Sequence, residues 1–372
     1  MGVPAQQIAL ARVRRGLPAK AFLRILLALS SILFALLIGE VITRYQVEAW
    51  PFDPPLFFVL GLTAKDQDLR WRFSGEGLNS LGLRNEEVLR NDHNHIRILF
   101  LGDSLVWSGE TSSKQLYTEV MERNLNESLG GAHSTIEVIN AGIPGYTTYQ
   151  ELEFLKAYGV EMEPDVVLLG FVFNDVYYKY LHRPNAEKLL ALDPSSRLHR
   201  FDTRRFPQSL LRSSYLAHEW FYSLDTVFDK ATGSPYFPFE HRSDFYLAWK
   251  HYGWDDTREL IKEMKDLLAQ EGTELGVVIF PLLEQVTDKY LNLDRDRVLY
   301  PQKRITTICN EYNIPYLDLT GAIHQAGPDV FAQDGIHLRN KGNDLVASEV
   351  TSFLLNKSRW RFKLRNDFPA SE

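Results

Sequence analysis

Apolar positions along the chain fall into two kinds of run. Near the N-terminus, residues 25–39 (ILLALSSILFALLIG) carry no charge, and the stretch widens to 21–42 if Arg24 and Glu40 are admitted at its ends. About 20 residues span a bilayer, and long side chains near the ends can snorkel to the interface. This run predicts one N-terminal transmembrane helix. Further on, short apolar runs recur at Ile96–Leu101, Thr135–Ile139, Asp165–Phe173, Leu275–Phe280 and Ile314–Leu319. They are near-continuous rather than alternating, as strands buried on both faces require. Helical patterns fill the gaps at 113–129, 148–158, 256–271 and 300–312. The alternation predicts an α/β domain of three layers, α/β/α, around a roughly five-stranded parallel sheet.

Between the runs lie the boundaries. The reading divides the chain into a basic N-terminus (1–20), a membrane anchor (21–42), a stem (43–95), the α/β domain (96–356) and a basic tail (357–372). Trp50-Pro51-Phe52-Asp53-Pro54-Pro55 should stop any helix leaving the membrane. One stretch breaks the domain's rhythm: residues 176–255 hold 18 of the chain's 46 aromatics. Two readings stand, a small subdomain with its own aromatic core or a wall of the cleft above the strand ends. In the tail, bases at 357, 359, 361, 363 and 365 alternate with Trp360, Phe362 and Leu364. Period two predicts an edge strand with a basic outer face, with a contact to anionic lipid as the alternative.

Charge sharpens this picture. Of 41 Lys/Arg and 48 Asp/Glu, residues 1–44 hold six bases and one acid, leaving 35 bases against 47 acids and a net charge of −12 for 45–372. So acidic a body is unsuited to phosphate backbones, and nucleic acid is not expected as a partner. Five bases precede or open the apolar run, so the positive-inside rule keeps the N-terminus cytoplasmic and sends the body outside, to the periplasm in a bacterium. A cleaved signal peptide is the rival, since the uncharged core has only 15 residues, but no small-x-small site follows it. A buried core helix fits badly with the basic flank. The single cysteine, Cys309, excludes an internal disulfide framework and reads as a core residue.

Four sites at strand ends carry candidate chemistry. Gly102-Asp103-Ser104-Leu105 follows the first strand, where a serine at a strand-to-helix turn is exposed and the helix N-terminus favours negative charge. Asp334-Gly335-Ile336-His337 follows the last. A serine needs a base, and a histidine base needs a carboxylate to orient it; a spacing of three lets Asp334 meet His337 across one turn. Asn140-Ala141-Gly142 ends the second strand and can offer the Gly142 N–H to an oxyanion, or be a plain turn. Asn174-Asp175 ends the third, with an amide for an oxyanion or for a helix cap. In a parallel sheet these ends share one edge. His93-x-His95 reads as a solvated pair rather than a metal site, and His324 is a rival base without a carboxylate at turn spacing.

The arrangement resembles the SGNH (GDSL-type) hydrolases, whose fold is flavodoxin-like. The resemblance runs from about Arg97 to Gly342, minus the aromatic insertion. Its blocks match at Gly102-Asp103-Ser104-Leu105, at Gly142, and at Asp334-x-x-His337. The Gly-x-Asn-Asp block departs, with Val172 in the glycine place and Gly170 the nearest glycine. Asn79-Ser80-Leu81-Gly82-Leu83-Arg84 also looks like a stretch found in membrane-anchored bacterial members. The resemblance implies Ser104 as nucleophile, His337 as base and then acid, and Asp334 as its orienting carboxylate. It further implies an oxyanion hole from the N–H groups of Ser104 and Gly142 with the Asn174 side chain, and no metal or cofactor.

The reading is a membrane-anchored serine esterase acting through an acyl-enzyme on an O-acylated small molecule or carbohydrate, an acetyl group on an envelope carbohydrate being one such substrate. An acyltransferase with the same triad, passing the acyl group to a sugar or polymer hydroxyl, is the first alternative. A non-catalytic carbohydrate-binding or scaffold protein on this fold is the second. Oligomeric state is not legible in the sequence.

Overall fold

The chain is seen in a computed structural model that describes residues 19–49, 63–66, 70–73, 77–88, 95–108, 113–129, 135–177, 216, 220, 245–249, 254–356 and 360. Helix α1 (Ala19–Ala49) comes first, and its stretch Lys20–Ile42 is long and apolar enough to cross a membrane. Inside it, the Ser30 and Ser31 hydroxyls donate back to the carbonyls of Leu26 and Leu27, which leaves neither hydroxyl unsatisfied in an apolar stretch. The helix ends one residue before the Trp50-Pro51 break. A short hairpin follows, β1 (Thr63–Asp66) with β2 (Arg70–Phe73).

The domain is built on five parallel strands in the order β4-β3-β5-β6-β7: β3 (His95–Gly102), β4 (Thr135–Gly142), β5 (Val166–Phe171), β6 (Glu274–Ile279) and β7 (Tyr316–Asp318). Every position of central β5 is buried, and an aliphatic side chain so placed contributes about 1.5–3 kcal/mol. The chain moves from β3 to β4 in one direction and then back past β3 to β5. Right-handed crossovers of opposite travel put their helices on opposite faces. Accordingly α3 (Tyr117–Leu129) packs with α10 (Asn340–Asn356), while α4 (Thr148–Phe154) packs with α6 (Trp254–Gln270). The three-layer α/β/α fold is as the apolar runs predict. The crevice where the strand order reverses lies between β3 and β5, at their C-terminal ends.

The β4 edge is closed by side chains. Asn126 donates to the Ile136 carbonyl and accepts from its N–H, at 3.0 and 2.8 Å. Glu122 accepts from Val138 N–H at 2.8 Å. Asn85 donates to the Val138 carbonyl at 3.1 Å and accepts from Asn140 N–H at 2.7 Å.

Several elements differ from the sequence reading. Helices α7 (Asp288–Val298), α9 (Thr320–Ala326) and α10 were not anticipated. Beside them runs α8 (Tyr300–Glu311), which was. The predicted edge strand of the tail is corrected at Trp360, which is helical and fully buried, edge-on to Phe353 with ring centroids 4.9 Å apart. A Cβ on Gly276 of β6 would lie 2.7 Å from the Trp360 ring, so that glycine makes room for it. The rest of the tail, and most of the aromatic insertion, lie outside the described residues. The insertion's C-terminal end packs on the sheet: Trp254 stacks on Phe171 at 5.9 Å and Trp249 meets Phe173 at 5.8 Å.

Candidate active site

Three glycines on neighbouring strands prepare the site. Gly102 of β3 is in register with Gly142 of β4 and with Gly170 of β5. Over this row lies α2 (Ser104–Trp107), a single helical turn. A Cβ on Gly102 or Gly170 would stand 2.1 or 2.5 Å from a Val106 methyl. A Cβ on Gly142 would stand 2.3 Å from the Trp107 nitrogen. The row therefore lets α2 sit directly on the strand ends, with partly exposed Ser104 as its first residue. Asp103 caps the turn, accepting from Leu105 N–H at 2.8 Å.

His337 reaches Ser104 from the far end of the chain, Nε2 to Oγ at 2.9 Å. On its other side Nδ1 meets Asp334 Oδ2 at 2.5 Å. The tautomer that satisfies both contacts has its proton on Nδ1, so Nε2 accepts from the serine hydroxyl. The spacing of three works through a loop rather than a helical turn. Asp334 Oδ1 accepts from the N–H groups of Ile336 and His337 at 2.9 and 3.0 Å, and Gly335 between them has φ of +71°. A bridge between Phe331 and Leu338 closes the loop. One carboxylate thus fixes both the backbone and the ring of His337. Burial pushes the Asp334 carboxyl up, but the Ile336 N–H and the ring and N–H of His337 together hold it below its ordinary value. Its hold on the loop is therefore present above the usual carboxylate range and is lost as pH falls through the lowered value.

Asn174, opening the short helix α5 (Asn174–Tyr177), donates through Nδ2 to Asp103 Oδ2 at 3.1 Å. That bond places its amide beside the serine turn with a second N–H still available. Asp175 accepts from Val172 N–H at 2.8 Å; this is what Val172 does in the place where the family pattern has glycine. Behind Asn174 three carboxyls are buried together. Burial raises Asp103, against bonds from Leu105 N–H and Asn174. Burial, then the neighbouring acids, push Asp175 and Glu151 well above the ordinary range and favour their neutral forms.

The Gly142 N–H donates to Asn140 Oδ1 at 3.0 Å, and the absence of a side chain lets α2 pack closely on this strand end. Three residues on, Gly145 has φ of +81°, is half-buried, and its N–H has no partner among the described residues. In sequence Gly145 follows Pro144, a pair whose first meaning is a turn. The residue types alone assign no role to Asp103 and Asn140, although both lie inside the quoted motifs. Asn140 Nδ2 donates to the Val106 carbonyl at 2.8 Å and so ties β4 to α2.

The remaining candidates are accounted for. His324 spends Nδ1 on the Val286 carbonyl at 2.8 Å, and its Nε2 lies 3.7 Å from Asp288. Cys309 is fully buried, and burial pushes its thiol up to about 12. His93 lies outside the described residues, and His95 opens β3.

A family model for GDSL-like lipases and acylhydrolases matches residues 100–345. Among solved structures, an acetyl xylan esterase is similar at 17% identity and a TM-score of 0.41, covering 69% of this chain and 98% of its own. A lipase/acylhydrolase from Enterococcus faecalis is similar at 14% identity and a TM-score of 0.41, covering 74% and 99%. A catalytic mutant of an acetylxylan esterase from Geobacillus stearothermophilus gives 14% and 0.42, covering 69% and 93%. No curated protein matches the chain.

Proposed function

Since the chain belongs to the GDSL-like lipase/acylhydrolase family, we propose that it is a membrane-tethered serine esterase that works through an acyl-enzyme. The observation that carries this is the unbroken relay from Asp334 through His337 to Ser104. Ser104 Oγ attacks the acyl carbonyl while His337 Nε2 takes its proton. Asp334 holds the ring and stabilises the imidazolium that forms. The tetrahedral oxygen takes N–H groups from Ser104 and Gly145 and the free amide N–H of Asn174. Gly145 replaces Gly142 in this role because the Gly142 N–H is already engaged. Collapse breaks the ester C–O bond, and His337 returns the proton to the leaving alcohol. Water, deprotonated by the same histidine, attacks the acyl carbon; the bond to Ser104 Oγ breaks, His337 returns the proton to Oγ, and the carboxylic acid leaves.

The substrate class is an O-acyl ester, with an acetylated envelope carbohydrate as the first to try. p-Nitrophenyl acetate should give steady p-nitrophenol release that equals acetate release. If added carbohydrate instead takes up the acetyl group and acetate falls below p-nitrophenol, the second step is transfer and the chain is an acyltransferase. No release from folded protein sinks the esterase reading and shifts weight to a transferase with its own acyl donor or to the non-catalytic binding protein.

Membrane tethering belongs to the same proposal. Support comes from the exposed apolar surface of α1, which includes Phe22, Leu33 and Phe34, and from the bases that precede it. A reporter fused at the C-terminus is expected to read as extracytoplasmic; a cytoplasmic signal overturns the topology.

A further inference from the structure

We infer that Arg84, outside the family match, is a positioning residue for the nucleophile: it holds the C-terminal end of the one-turn helix that starts at Ser104. The inference rests on Ser104 being the nucleophile. A single turn cannot support itself, because its last carbonyls have no helical partners. In α2 the turn's own bonds are Trp107 N–H to Asp103 O at 2.9 Å and Ser108 N–H to Ser104 O at 3.0 Å. Beyond Ser108, whose φ is +53°, the helix stops. The carbonyls of Val106, Trp107 and Ser108 are taken by side chains. Asn140 donates to Val106 O, and Arg84 Nη1 donates to both Trp107 O and Ser108 O, at 3.0 and 2.9 Å. The guanidinium also lies over the Trp107 ring, 5.5 Å from its centroid.

Arg84 is itself held on both sides. Before it, Asn79 Oδ1 accepts from Leu81 N–H at 3.0 Å and Leu83 N–H at 2.9 Å, and Leu83 is fully buried in the core. After it, Asn85 is bonded to β4. The arginine thus stands between two anchors with its charge fixed at the negative end of the α2 dipole. Through two carbonyls it also sets the height and tilt of the helix that carries Oγ. An error of about 1 Å in such a placement can cost about 10²-fold in rate. Lysine keeps the charge but as a flexible point donor rather than a rigid fork.

The test compares full-length Arg84→Met and Arg84→Lys with wild type. Turnover is counted per serine labelled by a fluorophosphonate probe, so misfolded protein drops out. Arg84→Met is expected to lose about 10–10²-fold in kcat with KM nearly unchanged, and Arg84→Lys to recover part of it. A kcat per labelled site within about twofold of wild type would overturn the inference in favour of a purely structural role. So would a raised KM with kcat intact, which indicates direct substrate contact. Should Arg84→Met fail to fold, Arg84→Lys carries the same two readouts against wild type. Ser104→Ala run alongside separates the two levels: wild-type turnover that survives this change fails the nucleophile assignment itself.

Discussion

Ser104→Ala is expected to lower ester hydrolysis by about 10⁴–10⁶-fold while leaving thermal unfolding unchanged. The size follows from the geometry. Oγ lies 2.9 Å from His337 Nε2, and no other hydroxyl is bonded to that nitrogen among the described residues. The stability expectation follows from position, since Ser104 is partly exposed and its backbone, not its hydroxyl, belongs to α2. Asn174→Ala in the same assay should lose less, about 10²–10³-fold in kcat, because in the proposed mechanism it removes one of three donors to a developing charge. Equal losses from the two variants would place Asn174 in a structural role through Asp103. Near-wild-type activity in Ser104→Ala would remove the mechanism.

The second large effect is on folding. Gly142→Ala puts a methyl 2.3 Å from a backbone nitrogen of α2. Backbone cannot rotate away, so we expect a destabilisation of about 3 kcal/mol or more, at the upper end for overpacking. Gly102→Ala looks worse by distance, 2.1 Å, but its clash is with the Val106 side chain. Shortening Val106 to Ala should therefore restore much of the stability of Gly102→Ala and none of that of Gly142→Ala. Thermal denaturation of the four variants decides it. Equal rescue of both would mean that α2 shifts as a body, and the rigid seating described above would be wrong.

Much of this architecture was legible because it obeys simple periods. The five apolar runs mark the sheet, and the chemistry sits where such strands end. Asp334 and His337 could be paired from spacing, though a loop and not a helix joins them. What escaped has physical reasons. Helix α10 buries Gly342, Asn343 and Thr351 along with its aliphatics, so its inner face does not read as apolar. Trp360 alternates with charge in sequence, yet one deep hole over Gly276 decides its place. The bond that the Gly142 N–H donates to the side chain of Asn140, two residues earlier, leaves no mark in the residue types. The same is true of Arg84, whose partners are carbonyls.

The amide and carboxylate side chains along β4 have a consequence for the molecule among its own copies. A sheet edge normally presents a ladder of bare N–H and C=O groups on which another chain can dock as an added strand. Here the N–H and C=O groups of Ile136 and Val138 and the N–H of Asn140 are already engaged by Asn126, Glu122 and Asn85. Tethering to a membrane, as proposed above, would concentrate copies of the chain in two dimensions. Among the described residues, this side of the sheet offers such encounters only a shortened template to extend.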